Sequence, residues 1–319
     1  MRVASVVALV LVSIVVALPA AADWATGDPY KYLQSPMTTP ISELTVNATS
    51  PSILAEGFIC ADPGWVTGIH IWGGWLPATD PENVTFTLSI HEDVVGPGGY
   101  SMPGAVHWTK VFAPGDFVVQ TSSVSPLQGW LDPPSTYTPS QAVQKCQYNF
   151  SIDPADAFFQ EGTPTAPIVY WLGVQAQPTD PSDVFGWHHS LAAALGDAVW
   201  AVGEEPYSED WEELIYPAGH PDAGNSIDLA LVIVSEDFGL DWGDAPDPTY
   251  PTLAASGGAN HRIVPGFSMG PGLDAEADGQ PHLEALGDDR SGIDDEDGVV
   301  LPAPLVPGMD AEAFVTVLD

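Results

Sequence analysis

Positive charge is what this sequence has least of. Only 6 of its 319 residues are Lys or Arg, against 43 Asp and Glu, for a formal net charge of -37. Binding to a phosphate backbone works by displacing counterions with Lys and Arg. Nucleic acid is therefore excluded as a partner, and docking on anionic lipid is disfavoured on the same ground. Cysteine is scarce as well. There are two, with no CxxC spacing, which leaves out a thiolate zinc site. Long apolar runs are confined to the start of the chain. Long helices are disfavoured throughout, because 32 Pro and 31 Gly interrupt the sequence and mark turns. Hydrophobic residues nevertheless make up 45%, too many for a disordered acidic chain.

The one long apolar run has the layout of a secretory signal. Arg2 supplies the positive end, residues 3–18 are apolar, Pro19 breaks them, and Ala20-Ala21-Ala22 offers a small-residue cleavage site, so 1–22 reads as a signal peptide. A spanning helix needs roughly 20 apolar residues, more than this run holds. The expectation is a secreted or cell-surface protein with no membrane span in the mature chain. In an oxidising compartment two cysteines most simply pair, so a Cys60–Cys146 disulfide is expected.

Residues 23–44 carry Pro, Ser and Thr without periodicity and read as a leader arm. Residues 45–236 read as one β-domain. In Thr85–His91, Phe86, Leu88 and Ile90 face one way and Thr85, Thr87, Ser89 and His91 the other. Such period-two alternation marks a strand with one wet face. Cys146–Ile152 alternates in the same way. Ile168–Val174 and Ile227–Val234 are apolar on both faces, as covered central strands are. Val66–Trp72, Val106–Phe112, Phe117–Thr121 and Ala198–Val202 are further strands. Short helices are expected at Asp153–Phe159, where Asp153 can cap and Pro154 suits the first turn, and at Ser190–Leu195. Many short strands between Gly/Pro turns predict an all-β fold, an antiparallel, jelly-roll-like sandwich. From residue 237 to 301 the texture becomes irregular, acidic and Gly/Pro-rich. Strand character returns in 302–319, which reads as the start of a truncated second β-domain.

The acidic segment is the candidate metal site. Asp274, Glu276 and Asp278 occupy positions 1, 3 and 5 of a loop with Gly279 at position 6, the opening of a D-x-D-x-D-G calcium loop. Position 12 is Ala285 and no helices flank the loop, so it is not an EF-hand. Asp288, Asp289, Asp294, Asp295, Glu296 and Asp297 follow closely. Such crowded carboxylates repel unless a cation or solvent screens them, and carboxylate oxygens favour hard ions. Calcium is the expected cofactor, with a solvated acidic linker as the alternative.

Catalytic motifs do not hold up. Gly266-Phe267-Ser268-Met269-Gly270 matches G-x-S-x-G, but Pro265 before it and Pro271-Gly272 after it leave no strand–turn–helix context. His188-His189 alternate across a strand, and His91-Glu92-Asp93 reads as a turn. No catalytic residue is expected. Sugars stack on exposed aromatic faces. Trp72 and Trp75, around Gly73-Gly74, are the candidate ligand residues, while most other Trp are expected to fill the core.

Asp241–Leu253, Asp274–Pro281 and the run from Gly287-Asp288-Asp289 to Asp294-Asp295-Glu296-Asp297-Gly298-Val299 together resemble the segment that leads into the GEVED domain of secreted and surface bacterial proteins. The β-domain, with Ile69-His70-Ile71-Trp72-Gly73 and Phe86–Asp93, is similar to an uncharacterised domain found beside it. The resemblance implies an extracellular, multidomain, non-enzymatic architecture and brings no catalytic residues. The expected role is structural, adhesive or ligand-binding, with glycans or other surface proteins as partners. The alternative is a carbohydrate-binding module of a larger extracellular enzyme.

Overall fold

The structure is a computed structural model. It describes residues 24–38, 43–96, 99–190, 197–207, 209–236, 238–264, 267–270, 273–287, 299–302 and 312–317, without the side chains of 123 and 125–127. The signal peptide, most of the second expected helix, and Asp288, Asp289, Asp294, Asp295 and Asp297 lie outside these residues.

The alternating and doubly apolar segments all become strands. In chain order these are β1 (Tyr32–Gln34), β2 (Leu44–Asn47), β3 (Ser52–Cys60), β4 (Gly64–Leu76), β5 (Val84–Val95), β6 (Ser101–Phe112), β7 (Val118–Asp132) and β8 (Thr136–Ser151). After them come β9 (Phe158–Gln160), β10 (Ile168–Pro178), β11 (Val184–Ser190), β12 (Val199–Val202), β13 (Glu212–Glu213), β14 (Asp228–Leu229) and β15 (Leu231–Glu236). They form two sheets. One runs β1-β15-β4-β8-β7-β2-β11-β14, with β9 also on β4; the other runs β13-β12-β3-β10-β5-β6. Only the β2–β7 ladder is parallel. The protein is an all-β sandwich built of antiparallel sheets, as the turn density predicts. The long strand β4 pairs with both β8 and β11, so the ladder β4–β8–β7–β2–β11 returns to its starting strand. That closure matters for the site, because it brings side chains of β2, β8 and β11 close together.

Aromatic packing fills the space between the sheets. Phe86 of β5 meets Phe117, Tyr148, Phe150 and Phe185 at centroid separations of 4.8 to 5.5 Å. Three of these contacts are edge-to-face between the two sheets, the arrangement that ring quadrupoles favour. Trp75 belongs to this core. It is 1% exposed, and its indole N–H donates to the Tyr148 hydroxyl at 2.6 Å. This corrects its assignment as a ligand residue: alternation along β4 puts Ile69, Ile71, Gly73 and Trp75 inward together.

Four other expectations change. The helix at Asp153–Phe159 is only a 3-10 turn, Pro154–Asp156, capped by the Asp153 side chain, and Phe158 already begins β9. Ser89 and His91 of β5, expected on a wet face, are both fully buried. The leader arm is not featureless, because β1 pairs with β15. The fourth is the disulfide: Cys60 and Cys146 are free thiols. Cys60 ends β3 in one sheet, and its thiol donates to the Asp62 carbonyl at 3.1 Å. Cys146 sits mid-strand in the other sheet, opposite Gly73 and Thr121, where burial pushes its thiol up to about 11. Compartment and count argued for a bond; each thiol instead has a neighbour of its own, Cys60 the Asp62 carbonyl and Cys146 the Thr121 hydroxyl at 3.9 Å.

Beyond the sandwich, β16 (Leu240–Trp242) pairs with β17 (Asn260–Arg262), and β18 (Val299–Val300) with β19 (Phe314–Val315). Between β16 and β17 lies a 3-10 turn, Ala254–Ser256.

Candidate ligand-binding site

The outward positions of the first sheet are polar. On β4 these are His70 and Trp72, and on β8 Lys145, Gln147 and Asn149. Gln120 and Gln128 on β7, Thr45 on β2 and His188 on β11 complete the face. Sequence alternation alone would leave it in water. Instead the arm 24–38 crosses it. Gln147 Nε2 donates to the Trp24 carbonyl at 2.9 Å and to Asn149 Oδ1 at 3.0 Å. Asn149 Oδ1 also lies 2.6 Å from His70 Nδ1. The Trp24 ring stands edge-on to Trp72 at 5.9 Å. Further along, the Met37 N–H donates to the His189 carbonyl at 3.0 Å and Ser190 Oγ to the Ser35 carbonyl at 2.6 Å.

Between arm and sheet lies a cavity of about 330 Å³. Pro36, Met37 and Thr38 wall one side; Trp72, Gln120, Ser122, Lys145, Cys146, Gln147 and His188 line the rest. The volume is at the small end of ordinary ligand pockets, which run about 300–1,000 Å³. Lys145 Nζ donates to Glu43 Oε1 at 2.5 Å, reaching past β7 to the start of β2. One of the chain's six cations is thus spent on a carboxylate that is only 4% exposed. His188 is buried. Its Nδ1 lies 2.7 Å from Gln128 Nε2 and 3.0 Å from Thr45 Oγ1. The Gln128 Nε2 nitrogen can only donate, so Nδ1 accepts and the ring proton sits on Nε2. Burial, then the nearby Lys145 charge, lowers His188 to about 3. The ring is therefore neutral at physiological pH, and the lining combines an indole, amides, a hydroxyl and a charge-compensated ammonium. That set suits recognition of a polar molecule more than proton transfer.

Of the two sequence-designated tryptophans, only Trp72 reaches this cavity. In sequence His188 is set aside together with His189, and Lys145 and the glutamines are not singled out. Their signal was present as polar residues at alternate strand positions, but nothing local says that such a face will be roofed.

Two carboxylates of the expected calcium loop accept backbone N–H groups, mostly from neighbouring segments. Glu276 Oε2 accepts the Trp242 N–H at 2.9 Å. Asp278 Oδ1 accepts the Ala254 N–H at 2.7 Å and the Gly279 N–H at 2.9 Å. Asp244 and Asp247, which the metal reading passed over, do similar work. Asp244 Oδ2 accepts from Gly287 N at 2.7 Å, and the Asp247 carboxylate accepts from Thr252 N and Ser256 Oγ. Gly279 serves close approach: a Cβ there would overlap the Thr252 carbonyl. Among the described residues no three His, Cys, Asp or Glu side chains gather as a metal site would require.

Residues 30–234 match a family described as Domain of unknown function (DUF7901). The chain belongs to this family. The matched span starts just before β1 and ends within β15, so the DUF7901 domain takes in the arm strand and most of the cavity lining. No curated protein and no solved structure matches the chain.

Proposed function

We propose that this DUF7901 protein is an extracellular, non-enzymatic binding protein whose cavity beside Trp72 takes a small polar molecule, a carbohydrate first among them. The observation that carries the reading is the half-open cavity between arm and sheet, with an indole on one wall and amide, hydroxyl and ammonium groups on the others. Sugars are bound by this combination: the apolar face of the ring lies on an aromatic surface while hydroxyls find fixed donors and acceptors. Extracellular placement rests on the signal-like residues 1–22 and on the resemblance of 237–301 to the GEVED-leading segment. Among the described residues no helix is long and apolar enough to cross a membrane.

Titration calorimetry against a panel of mono- and disaccharides, preceded by a glycan array, tests this. Binding that Trp72→Ala abolishes supports the reading. Absence of any retained glycan, or equal binding by Trp72→Ala, overturns it. Calcium accompanies the proposal on sequence grounds: the carboxylates of Asp274 and of 288–297 offer hard oxygen ligands.

A further inference from the structure

A second polar cluster lies in the other sheet. Ser89 Oγ lies 2.7 Å from His91 Nε2 and donates to Glu205 Oε2 at 2.8 Å. His91 Nδ1 lies 3.2 Å from the Gly104 carbonyl. All three side chains are shut away from solvent; those of His91 and Glu205 are both 0% exposed. Glu205 belongs to the stretch that follows β12. Its Oε2 accepts the Tyr207 N–H at 2.9 Å, its N–H donates to Gln175 Oε1, and Oε1 has no partner. Gly173 makes room for the carboxyl, since a Cβ there would overlap both Glu205 Oε1 and Ser89 Oγ. Trp211 closes over the cluster, edge-on to His91 at 6.2 Å and to Tyr207 at 5.4 Å.

Proton counting shows what this chain of contacts requires. The Gly104 carbonyl can only accept, so His91 Nδ1 carries a proton. With Glu205 protonated and His91 neutral, Glu205 Oε2–H donates to Ser89 Oγ, and Ser89 donates to His91 Nε2. With the proton moved along the relay, His91 Nε2–H donates to Ser89, and Ser89 donates to the carboxylate. Both arrangements satisfy every contact and hold the same number of protons. Remove one proton and Ser89, with a single O–H, faces two acceptors. One contact must fail, and a carboxylate is left buried with no cation.

We propose that the Ser89–His91–Glu205 relay is a proton-held latch, which keeps residues 203–207 closed over the second sheet and lets them open when its one mobile proton is lost. Other ionisable groups nearby do not substitute for that proton. His107 on β6 opposes positive charge on His91. On β5, Glu92 and Asp93 are engaged with Ala105 N and Trp171 Nε1. β10 presents Trp171, Gly173 and Gln175, none ionisable, and the covering segment adds Glu204, Tyr207, Glu209 and Asp210, none of them cationic. Burial raises Glu205 to about 7, which places release just above neutrality.

Hydrogen–deuterium exchange of residues 203–207 in the full chain, corrected for the intrinsic pH dependence, reads the latch. Protection should fall about tenfold for each pH unit above the transition. Glu205→Gln keeps a donor toward Ser89 that cannot ionise, so its protection should stay flat with pH. Ser89→Ala cuts the relay and should exchange fast at every pH. Wild-type protection that does not change between pH 6 and 9 overturns the proposal. So does a wild-type pH profile in Ser89→Ala, which remains decisive if Glu205→Gln fails to fold.

Discussion

Glu56 of β3 crosses between the sheets and accepts the backbone N–H of Leu229, on β14, at 2.6 Å. It sits in the otherwise apolar run Ile53–Cys60 and is 1% exposed. Burial, then the neighbouring Asp228, raises its carboxyl well above the usual range. Burial and the charge of Asp197 raise Asp228 to about 7.

These carboxyls bind protons more tightly folded than unfolded. Stability from that source is fully present below the ordinary carboxylate range and is lost as pH rises, for Asp228 through about 7,. The melting temperature should therefore be lower at pH 8.5 than at pH 5.5, with ~2–4 °C for each kcal/mol lost. General charge repulsion acts in the same direction, so the variant is what separates the two. Glu56→Gln keeps an acceptor for Leu229 and should flatten the curve. An unchanged slope in scanning calorimetry would count against a buried titration.

Trp72 and Trp75 should behave oppositely on truncation. Trp75→Ala empties a core position and should cost about 3–5 kcal/mol in urea unfolding. Trp72→Ala should cost much less and act on ligand retention instead. Equal destabilisation by both would contradict the inward and outward assignment along β4.

The thiols offer a direct chemical check. Titration in denaturant without reductant should find two free thiols, and reductant should leave the melting temperature unchanged. In the native protein Cys146 should react slowly at pH 8, because burial holds it near 11. Finding no free thiol in denaturant would restore the disulfide.

The acidic segment can be probed by calcium titration of the full chain. Since Glu276 and Asp278 already serve backbone donors, replacing Asp278 by Asn should leave any calcium affinity nearly unchanged. Replacing Asp294, Asp295 and Asp297 together should remove it. Loss of binding in Asp278→Asn would instead place the ion in the 274–279 loop. Gly279→Ala, which forces a Cβ against the Thr252 carbonyl, should disturb the fold of this segment with or without calcium.

The amino-acid order alone determines the strands, their inward faces and the class of fold. Alternation is a local property: Phe86, Leu88 and Ile90 point one way whatever lies beyond them. Composition likewise sets the formal net charge of -37, because the scarcity of Lys and Arg survives any folding. What covers the outward faces is decided only in three dimensions. Ser89 and His91 read as wet because alternation cannot see Glu205 returning from 114 positions beyond His91. Alternation along β4 already puts Trp72 and Trp75 on opposite faces; that the Trp72 face borders a cavity is decided only by the arm that crosses it. The thiols pair on paper because counting cannot see which groups surround each sulfur. Polar clusters, cavities and cross-links all need groups distant in sequence to meet, and the tertiary structure alone specifies those meetings.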